Sequence, residues 1–374
     1  MSAALLADAP ATNAAARPRL RDSISYTHDV RDEGPWSIQV IRVARNRADL
    51  NLHVTLGRGS SIGKSSLSSQ MEKFPKSIGR PLVAVNGDYF VRDGTYAGDP
   101  EGLCIVEGEL VSAPSEKTCM WVAADGSIRA TNVLSQLSVT WPDGKKNAIG
   151  LNEELNERPI LFTPAIGAHT RTRSCTELVL EAETGGALSL RPGETLRLKV
   201  AGRSERGRAT LSTNRFILSL PDWLASKRGR IADGELVEIS TATIPDLRGA
   251  RTGISGGPAL IRGGKATDID AGDVRDPRTA IGWNDDYFFF VQVDGRRPRL
   301  SVGMTLPELT SYMIKLGCTE ALNMDGGGSS TFWAQGQIMN NPSEGDERTM
   351  GNALLLSLDV LPSQSESMTS AAQP

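Results

Sequence analysis

The stretch from Ala321 to Trp333, Ala-Leu-Asn-Met-Asp-Gly-Gly-Gly-Ser-Ser-Thr-Phe-Trp, constrains this chain more than any other. A short apolar run, Ala321 to Met324, reads as the end of a buried strand, and it stops at Asp325. Gly326, Gly327 and Gly328 follow; without a Cβ they allow φ > 0 and close approach of a ligand to the backbone. Successive N–H groups in such a turn can form an anion-binding concavity. Ser329, Ser330 and Thr331 add hydroxyls. An ordinary hairpin turn needs one or two glycines, so three in a row point to a cradle for an anion such as a phosphate ester. No Gly-Lys-Ser/Thr ending follows, so this is not a P-loop.

The residues upstream place the loop. Leu306, Leu309, Tyr312, Met313 and Leu316 recur at helical spacing. Thr305 and Glu308 form a capping box, Pro307 is tolerated in the first turn, and Gly317 suits the residue just past the helix end. Tyr287 to Val293 is aromatic and β-branched, and it reads as a strand ending in Asp294-Gly295-Arg296. Strand, helix and strand suggest a right-handed βαβ unit with parallel strands. Asp294 and Asp325 should then stand side by side at the carboxyl edge of the sheet, where open α/β sheets bind ligands. Arg278 opens a strand that should pair with Tyr287 to Val293 across Asn284-Asp285-Asp286. Its guanidinium suits two-point contact with phosphate, or else a salt bridge to a nearby Asp.

The chain of 374 residues can bury a large core, and its formal net charge of −3 gives no electrostatic pull toward nucleic acid or anionic membrane. No apolar run has the length of a transmembrane segment. Sparse aromatics with many Gly and Pro indicate an α+β fold, a β-rich mixed sheet with a few helices. Residues 1–22 read as a disordered N-terminal segment and 362–374 as a disordered tail. They flank one domain over 23–361, with a β-rich segment over 128–245. Cys104 and Cys119 suit either a disulfide across a hairpin or buried free thiols. His28, His53 and His169 lack metal-ligand spacing.

Ser23–His28, Trp36–Val43 and Leu50–Leu56 alternate as antiparallel strands do. Gly57–Ser69 reads as a loop. Leu82–Val85 is a buried strand ending in Asn86-Gly87-Asp88-Tyr89-Phe90. Leu103–Val111 reads as a hairpin turning near Glu107–Glu109, Asp222–Ser226 as a short helix, and Ala353–Val360 as a last strand. Arg171 and Arg173 are read as solvated loop arginines.

Taken in order, NGDYF (86–90), ISGGPALI (254–261), RTAIGW (278–283), VDGR (293–296), GMTLPEL (303–309), LNMDGGGSST (322–331) and ER…GNALLL (347–356) resemble the phosphodiester glycosidases. LFTPAIG with TRT is similar to the longer bacterial members. The family commonly has Asn-Gly-Gly-Phe-Phe where this chain has NGDYF, so Asp88 adds a carboxylate. The resemblance implies hydrolysis of a sugar-1-phosphodiester to free sugar and phosphomonoester, on a glycan such as a cell-envelope or exopolysaccharide substrate, by a secreted or periplasmic enzyme. It also implies a site built from Arg278, Asp294, Arg296, Asp325, the glycines, Ser329, Ser330 and Arg348, with Asn86, Gly87 and Asp88 on the substrate. Asp325 or Asp294 is the base or nucleophile, and Glu101 and Asp88 are the other candidates. Two alternatives are a phosphodiesterase with Ca²⁺ or Mg²⁺ on Asp294 and Asp325, and a non-catalytic polysaccharide-binding or assembly protein. No cofactor is required by the first reading.

Overall fold

The computed structural model describes residues 23–228, 231–269 and 274–359. The segments 1–22 and 362–374, read above as disordered, lie outside the described residues, as does Val360.

The Tyr287–Val293 strand has no alternation because both its faces are buried, the pattern expected of a strand covered on two sides. Phe288 and Phe290 enter the large core that also holds Val54, Val83 and Leu354. Phe289, Val291 and Val293 turn the other way, onto Leu309 and Met313 of the helix Leu306–Lys315. The helix starts as its sequence requires. The Thr305 side chain accepts from the Glu308 N–H at 3.2 Å, and Glu308 accepts from the Thr305 N–H at 2.8 Å. Gly317 follows the helix at φ 86°.

One seven-stranded sheet carries this strand. Its centre runs Trp36–Ala44, Tyr287–Val293, Arg278–Trp283, Glu320–Asn323, Ala259–Arg262. Arg278–Trp283 lies between Tyr287–Val293 and Glu320–Asn323 and is antiparallel to both. The two strands joined by the helix therefore point the same way but are second neighbours. This corrects the expectation of adjacent parallel strands with Asp294 and Asp325 side by side. The Asn284–Asp286 turn is too short for anything but a hairpin, so the arginine strand takes the intervening place. The expected mixed sheet is also almost wholly antiparallel. Among the described residues the parallel ladder is the short one between Gly150–Leu151 and Ile160–Phe162.

A five-stranded sheet packs against the first and holds Arg80–Asn86 between Phe332–Ala334 and Asn352–Leu358. A further five-stranded sheet places Thr252–Ser255 between Cys104–Val106 and Thr118–Val122. Cys104 and Cys119 thus flank a strand instead of facing each other, and all four cysteines are buried thiols. The Cys104–Val106 and Glu109–Ser112 hairpin turns through Glu107 and Gly108, both at positive φ.

Within the β-rich segment an eight-stranded antiparallel-dominated sheet spans Ser138 to Ser240 around its own core of Trp141, Phe162's neighbour Leu161, Phe216 and Leu218. Ile128–Asn132, at the start of that segment, instead pairs with Thr118–Val122. The helix at Asp222 extends to Arg228. Gly57–Ser69 is not loop throughout: Ser66 caps a helix over Leu67–Lys73, accepting from the Ser69 N–H. That helix is too short for a clear periodic signal.

Candidate functional site

The ends of three buried strands meet at the glycine turn. Asn86 braces it. Its Nδ2 donates to the Asp325 carbonyl at 2.7 Å, and its Oδ1 accepts from the Thr279 hydroxyl at 2.7 Å and the Thr331 N–H at 3.1 Å. The Asp325 N–H donates to the Gly87 carbonyl at 3.1 Å. Asn86 and Gly87 therefore fix where Asp325 stands, and the Asn86 side-chain atoms are used in doing so.

Residues Gly327–Ser329 form one tight helical turn. Of the three glycines only Gly327 takes positive φ, at 61°. The N–H groups of Gly326, Gly327, Ser329 and Ser330 donate to Asp325 Oδ1 and to the carbonyls of Pro277, Gly326 and Gly327. This corrects the expected nest of free N–H donors, because so tight a turn spends its amides on itself. What surrounds the turn is guanidinium. A Cβ on Gly326 would lie 3.8 Å from Arg278 Nη1, and one on Gly327 2.9 Å from Arg296 Nη2. One on Gly328 would strike the Arg348 guanidinium and the Glu344 carboxylate. Gly327 and Gly328 thus make room for Arg296 and Arg348, whereas at Gly326 the tighter neighbour is the Pro277 carbonyl, 3.0 Å from such a Cβ, with Arg278 in ordinary contact beyond it.

The arginines are held in different ways. Arg278 donates to the carbonyls of Met304 and Val274, each at 2.9 Å, and among the described residues makes no salt bridge of the kind its sequence context allowed. Burial lowers its pKa. Arg296, itself at positive φ, donates to Asp276 at 2.9 Å. Arg348 pairs with Glu344. Contact with Arg348 holds Glu344 below the usual carboxylate range, helped by Arg296 and Arg92. A carboxylate thus lies among the arginines at Gly328.

Three carboxylates reach this region and differ sharply. Asp325 is partly buried and its pKa is raised by burial, against the pull of the Ser329 hydroxyl, the Gly326 N–H, Arg348 and Arg92. Asp88 is 1 % exposed, and its Oδ2 has no hydrogen-bond partner. Its Oδ1 accepts from the Tyr89 N–H at 2.7 Å. Burial pushes Asp88 up to about 7; Lys117 opposes, while Asp325 and Glu101 add to the rise. Gly102 leaves room for it, since a Cβ there would lie 3.1 Å from Asp88 Oδ2. Asp294 is fully buried and saturated. It accepts from Ser37 Oγ at 3.1 Å, Gln292 Nε2 at 3.2 Å, and the Asn341 N–H and Nδ2 at 3.0 and 2.9 Å.

Buried polar atoms without partners gather here: Asp88 Oδ2, Ser330 Oγ, Asn323 Oδ1 at the end of its strand and Asn352 Nδ2 at the start of its own. Such atoms are costly unless a ligand or water completes them. Beside them opens a cleft of about 740 Å³ lined by Tyr89, Glu101, Lys117, Asn132 and Arg262. Glu101 lies on its rim, exposed and paired with Lys117 at 3.2 Å. Arg171 does not enter the site; its donors go to the carbonyls of Thr95 and Ile166. The sequence reading passed over Arg92, Asn323, Asn352 and Glu344. Asn323 and Asn352 stand within the quoted motifs LNMDGGGSST and GNALLL, and Glu344 stands four residues before Arg348; Arg92 carried no signal.

The profile of the phosphodiester glycosidase family matches residues 200–357. Over that stretch the chain resembles the phosphodiester glycosidases. The N-acetylglucosamine-1-phosphodiester alpha-N-acetylglucosaminidase of Bos taurus is 24% identical over 248 residues, 62% of this chain and 44% of that protein. An SPbeta prophage-derived protein of Bacillus subtilis is 40% identical over 86 residues, 23% of this chain and 13% of that protein. The matches thus span less than half the length of either curated relative. A crystal structure of a hypothetical protein from Synechocystis has the same fold, with a TM-score of 0.71 at 17% identity, covering 92% of this chain and 64% of that one. The motifs from ISGGPALI to GNALLL fall within the residues that the phosphodiester glycosidase profile matches, whereas NGDYF, which holds Asp88, precedes them.

Proposed function

We propose that the chain hydrolyses a sugar-1-phosphodiester, releasing free sugar and a phosphomonoester. The observation that carries this is the arrangement of Arg278, Arg296 and Arg348 against Gly326, Gly327 and Gly328, directly beside Asp325. Guanidinium groups fixed around a concave turn neutralise a phosphate as charge develops on it, and partial burial strengthens them. Burial raises the pKa of both Asp325 and Asp88, and Asp325 adds to the rise at Asp88. A pair of carboxyl groups beside a phosphate site can supply the acid and the base or nucleophile of glycoside cleavage. Asp325 is assigned to the anomeric centre, and Asp88 to proton transfer. Asn86 and Gly87 act by holding Asp325, and Ser329 and Ser330 offer hydroxyls to the ligand. The name of the Bos taurus relative supports the substrate class. On this reading the natural substrate is a glycan or cell-envelope phosphodiester met outside the cytoplasm.

The cation-dependent alternative fits the residues less well. Among the described residues no three His, Cys, Asp or Glu side chains converge into a metal-holding set, and Asp294 is committed to four hydrogen bonds. Hydrolysis of a sugar-1-phosphodiester in ¹⁸O-water, with and without EDTA, tests the proposal. We expect label in promptly trapped sugar and none in the phosphomonoester. Label in the phosphomonoester, or loss of turnover with EDTA, overturns it; no turnover on any phosphodiester favours a binding protein.

A further inference from the structure

Asp99 is a second buried carboxyl that the chemistry above does not use. It is 5 % exposed, and its Oδ1 has no hydrogen-bond partner. Arg171 acts on it electrostatically, but the hydrogen bonds of Arg171 go to the carbonyls of Thr95 and Ile166. Asp99 lines a cleft of about 650 Å³ between the hairpin that follows Glu109 and the loop after Leu151. Glu153, Glu154 and Arg158 of that loop line the opposite wall. Glu153 is paired with Arg158 at 2.7 Å, and Glu154 is exposed. The cleft therefore carries an excess of carboxylates over cations, and Asp99 is among its lining residues although its Oδ1 is sealed from solvent.

This cleft is not isolated from the glycine turn. Glu101 and Lys117 line both it and the cleft that holds Tyr89, so the Glu101–Lys117 ion pair is the divide between the two. A ligand whose phosphate lies at the arginines can pass over Tyr89 and across that divide. Bridging the two clefts calls for a ligand of more than one unit, and an extended glycan is such a ligand. The far wall belongs to the region Ser138–Ser240, which gives that eight-stranded sheet a role in choosing the ligand.

We propose that the Asp99 cleft is a remote subsite that takes an ammonium-bearing sugar unit, such as an unacetylated hexosamine, of an extended glycan. This deepens the substrate class proposed above and rests on that reading for its link to catalysis. Burial pushes Asp99 up to about 8, with Glu153 and Glu101 raising it and Arg171 opposing. A carboxyl in that condition gains most from a cationic neighbour, since an opposite charge offsets both burial and the flanking carboxylates. An ammonium also has donors enough for the Asp99 carboxyl and Glu154 together.

Calorimetric titration of the full chain with a glucosamine trisaccharide and with its N-acetylated counterpart tests the assignment. The free-amine trisaccharide should bind at least about tenfold more tightly, the ratio expected for one charge-assisted contact. Asp99→Asn should erase that preference while leaving turnover of a small sugar-1-phosphodiester unchanged and Tm no lower than wild type, since the buried titration is removed. Glu154→Gln, at an exposed position, should weaken the preference without touching the buried core. Equal binding of the two trisaccharides, or a preference that survives Asp99→Asn, overturns the proposal. Calcium competing as well as the amine makes this a general cation site and also overturns it. Because the titration needs no turnover, failure of the catalytic reading would show separately, as inactivity toward every phosphodiester.

Discussion

Asp294 and Asp325 follow buried strands that run in the same direction and end at the same edge of one sheet. Only their surroundings differ. The Asp294 carboxylate accepts four hydrogen bonds and ties Ser37, Gln292 and Asn341 together. Asp325 takes one from the adjacent Gly326 N–H, its pKa is raised, and unpartnered polar atoms surround it. Two carboxylates in equivalent strand positions can therefore hold opposite jobs. A carboxylate with full partners stabilises a fold. One kept short of partners is available for chemistry, at some expense in stability.

The largest effect that separates them is on turnover. Asp325→Asn should lower kcat/KM by about 10²–10⁴-fold, the usual contribution of a positioned acid or base, with Tm unchanged or raised. Steady-state kinetics beside thermal unfolding check this. A variant that keeps wild-type turnover moves the chemistry away from Asp325. Asp294→Ala should show the reverse, losing about 3 kcal/mol of stability because several buried donors lose their acceptor at once. Urea unfolding measures it. A fully stable Asp294→Ala that is inactive would make Asp294 the catalytic carboxylate and dissolve the contrast drawn here.

Much of this edge was legible in the sequence. The capping box, the Gly317 end of the helix and the hairpin from Arg278 to Val293 are local signals, and each formed as its residues require. The difference between the two aspartates was not legible. It depends on Ser37 and Asn341, which lie 257 and 47 residues from Asp294 in the chain. Strand order was hidden for a related reason. Periodicity shows that Tyr287–Val293 and Glu320–Asn323 are strands, but not that Arg278–Trp283 lies between them. The glycine run pointed toward an anion cradle but not toward how one would be built, since free amides and nearby arginines both call for residues without a Cβ.

Asp88 sharpens the contrast through pH. Its folded pKa of about 7 lies above the unfolded value of a carboxyl, so between roughly pH 4 and 7 the native state holds a proton that the unfolded state has lost. Stability attributable to Asp88 must then fall as pH rises through that window. Asp88→Asn removes the titration, so the variant should gain on wild type by about 2–4 kcal/mol between pH 4 and pH 8, as the shift of a mostly desolvated group implies. Asp99 bends the wild-type curve with the same sign and remains in the variant, so the difference between the two curves isolates Asp88. Unfolding free energies at four or five pH values give it directly, and parallel curves would return Asp88 to an ordinary ionised carboxylate.

The smallest effect concerns the anion that the protein itself places at the cradle. Glu344 lies at Gly328, paired with Arg348 and within the influence of Arg296 and Arg92. A phosphate approaching Arg348 must compete with that carboxylate or share the guanidinium with it. Glu344 is largely solvated, so the competition is screened and modest. Glu344→Gln keeps the shape and removes the charge. Inorganic phosphate should bind the variant a few-fold more tightly than wild type, by an amount that shrinks as salt is added. The opposite result, weaker phosphate binding, would mean that Glu344 orients Arg348 for its ligand. In that case the carboxylates around the glycine turn would divide as Asp294 and Asp325 do, with Glu344 on the structural side.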